Sequence, residues 1–174
     1  DGSLIDVTLE FKSNPSIEEV NNLFLNNQNE TLKFTKDPIV SSDIIGKRYG
    51  ATVDGLLTNI VEVDNKRLYK VVAWYDNELG YTAQMLDVLK KHKVPATFFV
   101  TGHYLNTASE LVKRMVEEGH IIGNHSWSHP DMTTMSEEKI IEELDRVRER
   151  TEELTNQEGM SYLRPPRGVF SPRT

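Results

Sequence analysis

A short apolar strand is predicted at Pro95-Ala96-Thr97-Phe98-Phe99-Val100, where a proline opens a run of bulky apolar residues. A helical pattern follows it, announced by a capping box from Thr107 to Glu110 and ended by Gly119. A second apolar run then begins at His120-Ile121-Ile122-Gly123. Strand, helix and strand in this order favour two parallel strands with the helix packed on their sheet.

The residues before this unit have a different pattern of polar and apolar side chains. Alternating polar and apolar residues from Leu4 to Phe11 predict a half-buried strand, and Ser16 opens a capping box for a helix. Two further runs, 55–63 and 67–75, flank the loop 64–66 and predict an antiparallel hairpin. The chain is therefore predicted to be an α/β protein with a mixed sheet, antiparallel in its N-terminal half and built of parallel βα units in its C-terminal half.

Two more helices are predicted, one from Ala83 to His92 and a long one capped by Ser136. No stretch of eighteen apolar residues is present. The length of 174 residues suits one domain or two small units, and 37% hydrophobic with 27% charged residues is typical of a globular chain.

Charge and cysteine content narrow the function. The net charge of -7 opposes attraction to nucleic acid or anionic lipid, so we predict neither nucleic acid nor a membrane as partner. The absence of cysteine removes thiolate nucleophiles and Cys-ligated zinc, and leaves the redox compartment open. Because the chain starts at Asp1 without methionine or a signal-peptide pattern, we expect an excised or processed piece.

Two histidines in one loop are the main candidates for chemistry. His125 and His129 are four residues apart, so a helical backbone between them would place both rings on one face, where they could chelate one divalent ion. A catalytic site of the zinc type usually has three protein ligands, so a carboxylate from a strand end is also required. The alternative is two ordinary loop histidines, since a bare His-x-x-x-His is common by chance.

The surroundings of this pair resemble the polysaccharide deacetylase (NodB-homology) family, in particular the peptidoglycan N-acetylmuramic acid deacetylases. Three motifs carry the resemblance: Ala96-Thr97-Phe98-Phe99-Val100-Thr101-Gly102-His103, Asn124-His125-Ser126-Trp127-Ser128-His129-Pro130-Asp131, and Leu163-Arg164-Pro165-Pro166-Arg167-Gly168-Val169-Phe170. The resemblance implies that His125 and His129 bind a divalent metal, with zinc expected first and cobalt or another divalent ion as alternatives. It also implies an N-acetylated glycan as substrate and Arg164 as the residue that orients a catalytic aspartate.

The catalytic aspartate of that family follows an early strand, in a Thr-Phe-Asp-Asp or Thr-Phe-Asp-Asn motif. The matching residue here is Asp76, although Trp74-Tyr75 replaces the Thr-Phe pair. The resemblance therefore implies metal-assisted hydrolysis of an acetamide with Asp76 as general base.

Residues 1 to about 85 resemble a second family, the C-terminal part of glyceraldehyde-3-phosphate dehydrogenase. The motifs are Gly2-Ser3-Leu4-Ile5-Asp6-Val7-Thr8, Asp37-Pro38-Ile39-Val40-Ser41-Ser42-Asp43-Ile44-Ile45-Gly46, and Lys70-Val71-Val72-Ala73-Trp74-Tyr75-Asp76-Asn77-Glu78. This resemblance implies that Asn77 contacts a nicotinamide. We nevertheless do not expect NAD binding or dehydrogenase activity, because the chain has neither a cysteine nor a Gly-rich dinucleotide-binding turn.

The sequence as a whole is interpreted as a chimera of a dehydrogenase-like segment, 1–82, and a truncated deacetylase-like segment, 83–174. The first sheet could supply the strand 67–75 to an incomplete NodB-type barrel. We expect a metal-dependent carbohydrate N-deacetylase impaired by truncation; the alternatives are an inactive structural chimera and a dehydrogenase fragment. The compartment stays open, since one parent family is cytoplasmic and the other works at the cell wall, and the oligomeric state is not set by the sequence.

Overall fold

The computed structural model describes residues 2–64 and 66–171. It contains two compact units, residues 1–87 and 88–174, and the boundary falls within one helix. Asn65, in the predicted hairpin loop, lies outside the described residues. Among the helices that the structure describes, none has the length and apolar character needed to cross a bilayer.

Strands and helices alternate along much of the chain. The first unit contains β1 (Gly2–Leu9), α1 (Ile17–Asn26), β2 (Leu32–Thr35), α2 (Ser41–Ile44), β3 (Ala51–Asp54), β4 (Asn59–Val63) and β5 (Lys66–Asp76), and α3 (Leu79–His92) crosses the boundary. The second unit contains β6 (Thr97–Val100), α4 (Gly102–Thr107), α5 (Ser109–Glu117), β7 (Ile121–Asn124) and α6 (Glu137–Leu154), with short 3-10 turns at Met132–Thr134 and Pro166–Gly168.

Strand β5 is the centre of the first sheet. It pairs antiparallel with β1 from Gly2 opposite Asp76 to Leu9 opposite Tyr69. Trp74 also pairs with Thr52 of β3, and β4 pairs antiparallel with the first half of β5. Since β1 pairs with the same residues of β5 as β3 and β4 do, it lies on the opposite edge. Strand β2 extends the sheet through a parallel pairing with β3.

Helix α1 covers one face of this sheet. Its capping box is formed, with the Ser16 Oγ accepting from the Glu19 backbone N–H and the Glu19 carboxylate accepting from the Ser16 N–H. The core beneath the helix joins Val20 to the inward residues of β3 and β5, which are Val53, Tyr69, Val71 and Ala73. Tyr69 is fully buried, and its hydroxyl donates to the Pro15 carbonyl oxygen at 2.9 Å.

The second unit has a small parallel sheet of its own. Strands β6 and β7 pair from Thr97 opposite Ile121 to Val100 opposite Asn124, and a single bridge from Asn124 to Leu163 adds a third segment. Helices α4, α5 and α6 contact one another, and α5 and α6 contact β7. The buried apolar side chains of these elements include Leu105, Leu111, Val112, Met115, Ile122 and Val147.

The predicted fold class is confirmed, because the sheet of the first unit is mixed, the sheet of the second unit is parallel, and the described residues form no closed barrel. The sheet of the first unit contains, in addition, the parallel pair β2 and β3. The strand predicted from residue 55 begins at Asn59, since Asp54 first closes a turn by accepting from the Leu56 N–H. The helix predicted from Ala83 begins one turn earlier, at Leu79.

The capping box predicted at Thr107 to Glu110 is wrong. Thr107 is the last residue of α4, a helix that the sequence pattern did not reveal, and its hydroxyl donates to the His103 carbonyl oxygen. Ala108 stands at the N-cap of α5 without a side-chain hydrogen bond. The N-cap position of α5 therefore belongs to Ala108, which has no side-chain oxygen to accept a hydrogen bond.

The idea that the first sheet supplies its strand 67–75 to the deacetylase core is also wrong for the described residues. Strand β5 has β1 on one edge and β3 and β4 on the other, whereas β6 pairs with β7 in a separate sheet. A strand forms ladders along two edges only, and β5 has a neighbour from its own sheet on each of them.

Replacing Tyr69 tests the core of the first unit. We expect Tyr69→Ala to lower the free energy of unfolding by about 4 kcal/mol, because it leaves a cavity beneath α1. Tyr69→Phe keeps the ring and removes the hydroxyl with its bond to Pro15, so it should cost about 1 kcal/mol. Tyr81→Ala is the matched control, since Tyr81 is 69% exposed, and its effect should stay within about 0.5 kcal/mol. Urea unfolding measures all three, and equal losses for the two alanine variants would contradict the assignment.

Candidate metal centre

The histidine loop leaves β7 at Asn124, a buried residue whose amide has two partners. Its Nδ2 donates to the Leu144 carbonyl oxygen of α6 at 2.8 Å, and its Oδ1 accepts from the Ser126 N–H at 3.0 Å. A buried amide that bonds in both directions fixes its own orientation and the start of the loop. Asn124 therefore sets the direction in which His125 leaves the sheet.

The two histidines lie in a loop, as predicted, and the backbone between them forms a turn and not the helix that would have placed both rings on one face. Ser126 and His129 have φ angles of 62° and 57°, in the left-handed region. The buried Ser126 hydroxyl accepts from the His129 N–H at 3.1 Å and closes the turn. The rings of His125 and His129 nevertheless lie side by side, with centroids 4.8 Å apart. The turn thus brings the two imidazoles together by a different route from the one that the spacing indicated.

The proton position on His125 follows from its partner. Its Nδ1 lies 2.7 Å from the Arg164 carbonyl oxygen. A carbonyl oxygen only accepts, so Nδ1 carries the hydrogen and the neutral ring has its lone pair on Nε2. Histidines that bind metals through one nitrogen commonly donate the other N–H to a carbonyl in this way. His125 is half-buried and His129 is exposed, so the pair is open to solvent on the side of His129.

Two imidazoles fit one half of a divalent metal site. Within residues 2–64 and 66–171, no group of three His, Cys, Asp or Glu side chains is close enough to hold an ion. The acid nearest in sequence, Asp131, is engaged elsewhere, since its carboxylate accepts from the Thr133 hydroxyl and N–H. Those bonds, together with the charge of Arg167, lower the pKa of Asp131. The nitrogen donors suit zinc or cobalt, with further ligands to be supplied from outside the pair.

Arg164 contributes to the site through its backbone. Its carbonyl accepts from His125, and its N–H donates to the Asn124 carbonyl oxygen at 2.9 Å. Its guanidinium lies over the Phe99 ring, 4.4 Å from the centroid. The expected role of the Arg164 side chain in orienting an aspartate stays a prediction. The role of its carbonyl was not predicted, because every residue has the same backbone carbonyl and the residue type does not indicate which one makes a contact.

Asp76 ends β5 in the first unit, where the residue is only 2% exposed. Oδ1 accepts from the N–H groups of Glu78 and Leu79 at 2.7 and 2.6 Å, and Oδ2 accepts from the Gly46 N–H at 2.9 Å. Burial, the largest single effect, raises the pKa of Asp76, but hydrogen bonds from Gly46, Glu78, Leu79 and Gly80 together lower it below the ordinary value. The residue predicted as general base is therefore a charged group that caps α3.

Asn77 has a structural contact in the first unit. Its Nδ2 donates to the Ser3 hydroxyl at 2.5 Å and so ties the end of β5 to the start of β1. The predicted contact with a nicotinamide stays a prediction.

Two supports of the histidine loop were not recognised in the sequence. The Gly102 N–H donates to the Trp127 carbonyl oxygen, and a Cβ at Gly102 would lie 2.2 Å from the Trp127 ring. Glu143 of α6 accepts from Ser128, the residue before His129. Glu143 lies three residues after buried Ile140 and four before buried Val147. The sequence signal that could have identified Glu143 is its position, since it is a carboxylate at the edge of the buried face of a helix.

Two protein families match the chain. The polysaccharide deacetylase family matches residues 66–174, and the C-terminal domain of glyceraldehyde 3-phosphate dehydrogenase matches residues 1–77. Both matches include β5. The interpretation of the sequence as two joined family segments is thereby confirmed.

Relatives match one segment or the other. An uncharacterized 30.6 kDa protein of Geobacillus stearothermophilus is 70% identical over 102 residues, covering 58% of this chain and 38% of the relative. The peptidoglycan-N-acetylmuramic acid deacetylase PdaA of Bacillus subtilis is 57% identical over 99 residues, covering 56% and 38%. Glyceraldehyde-3-phosphate dehydrogenase of Streptococcus pyogenes is 43% identical over 89 residues, covering 51% and 26%. The chain therefore spans less than two fifths of the first two proteins and about a quarter of the third.

Solved structures of carbohydrate esterase family 4 are similar to the chain. Bacillus subtilis PdaA aligns with a TM-score of 0.52 and 57% identity, covering 56% of this chain and 41% of that one. A family 4 esterase of Bacillus anthracis aligns with a TM-score of 0.54 and 36% identity, covering 96% and 66%. A Bacillus anthracis family 4 pseudoenzyme aligns with a TM-score of 0.50 and 35% identity, covering 53% and 33%.

Asp76→Asn tests the cap of α3. The asparagine side chain has no charge, and its NH₂ group would face backbone N–H groups that need an acceptor. We therefore expect the free energy of unfolding to fall by about 2 kcal/mol at pH 7. Because folding lowers the pKa of Asp76, its contribution is complete above the unfolded value of about 3.9 and is lost as pH falls through the folded value. The difference between wild type and variant should therefore shrink below about pH 4.

Urea unfolding at a series of pH values measures this difference. Asp37→Asn is the control, because Asp37 is exposed and its replacement should change stability by less than about 0.5 kcal/mol. A difference between wild type and Asp76→Asn that stays constant from pH 7 to pH 2 would contradict the role of the charged carboxylate.

Proposed function

The chain belongs to the polysaccharide deacetylase family through residues 66–174, and we propose that it is a metal-dependent N-deacetylase of N-acetylated, peptidoglycan-type glycans. The observation that carries the proposal is the paired arrangement of His125 and His129, with the His125 Nδ1 held on the Arg164 carbonyl. The glycan class is supported by the name of the relative PdaA, a peptidoglycan-N-acetylmuramic acid deacetylase.

The metal would be held by His125 through Nε2 and by His129. Zinc is the first candidate, and cobalt or another divalent ion is the alternative, since imidazole nitrogen suits all of these ions. When bound, such an ion acts as a Lewis acid on an acetamide carbonyl. The contribution of the chain is to present two imidazoles side by side, with the Nδ1 of His125 held by the Arg164 carbonyl oxygen.

Asp76 is the proposed general base, and its surroundings make it a weak one. Backbone N–H groups engage both oxygens of the carboxylate and lower its pKa. A base accepts a proton well when its pKa lies near the working pH, and here the pKa is shifted away from neutrality. We therefore propose slow turnover.

A chimera that binds metal without turnover is the second candidate. The saturated hydrogen bonding of Asp76 favours it, and the similarity to a family 4 pseudoenzyme shows that related folds include inactive members. A dehydrogenase fragment has less support, because the 174 residues contain no cysteine for acyl transfer.

Metal-induced stabilisation tests the histidine pair. Zinc or cobalt at about 100 times its dissociation constant should raise the unfolding free energy by about 2.7 kcal/mol. Thermal denaturation should show an upward shift of the midpoint that disappears in His125→Ala and His129→Ala. His103→Ala is the matched control, since His103 is an exposed histidine of the same unit outside the pair, and it should retain the shift.

Acetate release from N-acetylated glycans separates the two candidate functions. Turnover by metal-loaded protein that is lost in His125→Ala and in Asp76→Asn would support the deacetylase. Metal binding without acetate release would instead select the inactive chimera, and a metal shift that persists in both histidine variants would reject the site itself.

A further inference from the structure

Helix α6 holds the histidine loop at two points, one before each histidine. The amide of Asn124, which precedes His125, donates to the Leu144 carbonyl oxygen. The residue before His129 is Ser128, and both of its donors bond to the carboxylate of Glu143, the N–H to Oε2 at 2.7 Å and the hydroxyl to Oε1 at 2.8 Å. Two consecutive residues of one helix therefore position the two histidines.

The loop needs such support because its backbone is strained. A left-handed conformation costs a residue other than glycine about 1 kcal/mol or more, and Ser126 and His129 both adopt it. Strained residues persist only where their surroundings hold them. The Ser126 hydroxyl stabilises the turn from within, whereas Glu143 stabilises it from outside, on the side of His129.

Glu143 is suited to this role by chemistry and by position. It is half-buried on a helix whose Ile140 and Val147 are buried, so its backbone is fixed by the core of the second unit. A carboxylate that accepts two hydrogen bonds from one residue restricts both the distance and the orientation of that residue. The neighbouring Glu142 is exposed to solvent.

We propose that Glu143 is a positioning residue of the metal pair, which acts through Ser128 to hold His129 at chelating distance from His125. The proposal rests on the proposed metal binding by these two histidines. It assigns to α6 a function in addition to packing, because the spacing of the two rings is then set by the helix and not by the loop alone.

The affinity for cobalt, measured by titration of its visible absorption with the full chain, tests the proposal. We expect Glu143→Ala to weaken cobalt binding about tenfold, in the range seen when outer supports of metal ligands are removed. Glu143→Gln can accept from the Ser128 N–H and donate to its hydroxyl, so it should bind within about threefold of wild type. Glu142→Ala is the matched control on the same helix and should bind as wild type does.

Ser128→Ala provides a second measurement that does not depend on the folding of Glu143→Ala. It removes one of the two bonds to Glu143, so it should weaken binding severalfold, and in the Glu143→Gln background it should add the same loss or less. Wild-type affinity in both Glu143→Ala and Ser128→Ala would overturn the positioning role while leaving the metal site intact. Failure of the unaltered chain to bind cobalt would overturn the metal site and this inference together.

Discussion

Strand β5 has a hydrogen-bonded neighbour on each edge, and this pairing determines how the two family segments share one chain. With β1 on one edge and β3 and β4 on the other, the dehydrogenase-like sheet completes itself around β5. The deacetylase-like strands β6 and β7 accordingly form their own parallel pair. The same strand ends at Asp76, a residue within both family matches, which takes its hydrogen bonds from the first unit, at Gly46 and at the start of α3.

The candidate metal centre depends on a different set of contacts, all of them within the second unit. The sheet fixes Asn124, the Arg164 carbonyl selects the tautomer of His125, and α6 supports the residue before His129. None of these supports uses a residue of the dehydrogenase-like segment. The histidine pair is therefore held by contacts within the second unit, whereas Asp76 caps a helix that begins in the first unit.

The sequence predicted those features that depend on neighbours within a few positions. The capping box of α1 joins Ser16 to Glu19, three residues apart, and could be identified directly. The left-handed turn at His129 could not, because its surroundings include, beside the local bond to Ser126, a bond from Ser128 to Glu143, fifteen residues further along the chain. The saturation of Asp76 likewise depends on a backbone N–H thirty residues away, at Gly46. Residue type identified the candidate site, and long-range backbone contacts decided its shape.

The two sheets also differ in the sequence separation of the residues that each sheet brings together. Ser3 and Asn77, which are bonded where β1 meets the end of β5, are 74 positions apart, whereas Ala96 and His120 at the start of the second sheet are 24 apart. Loop-closure entropy makes the longer closure more costly by about 1 kcal/mol. Eight consecutive residue pairs between β1 and β5 offset this cost, against four between β6 and β7. The terminal strand β1 is therefore retained by the length of its ladder, and shortening it from the N-terminus would weaken the sheet at the end that holds Asp76.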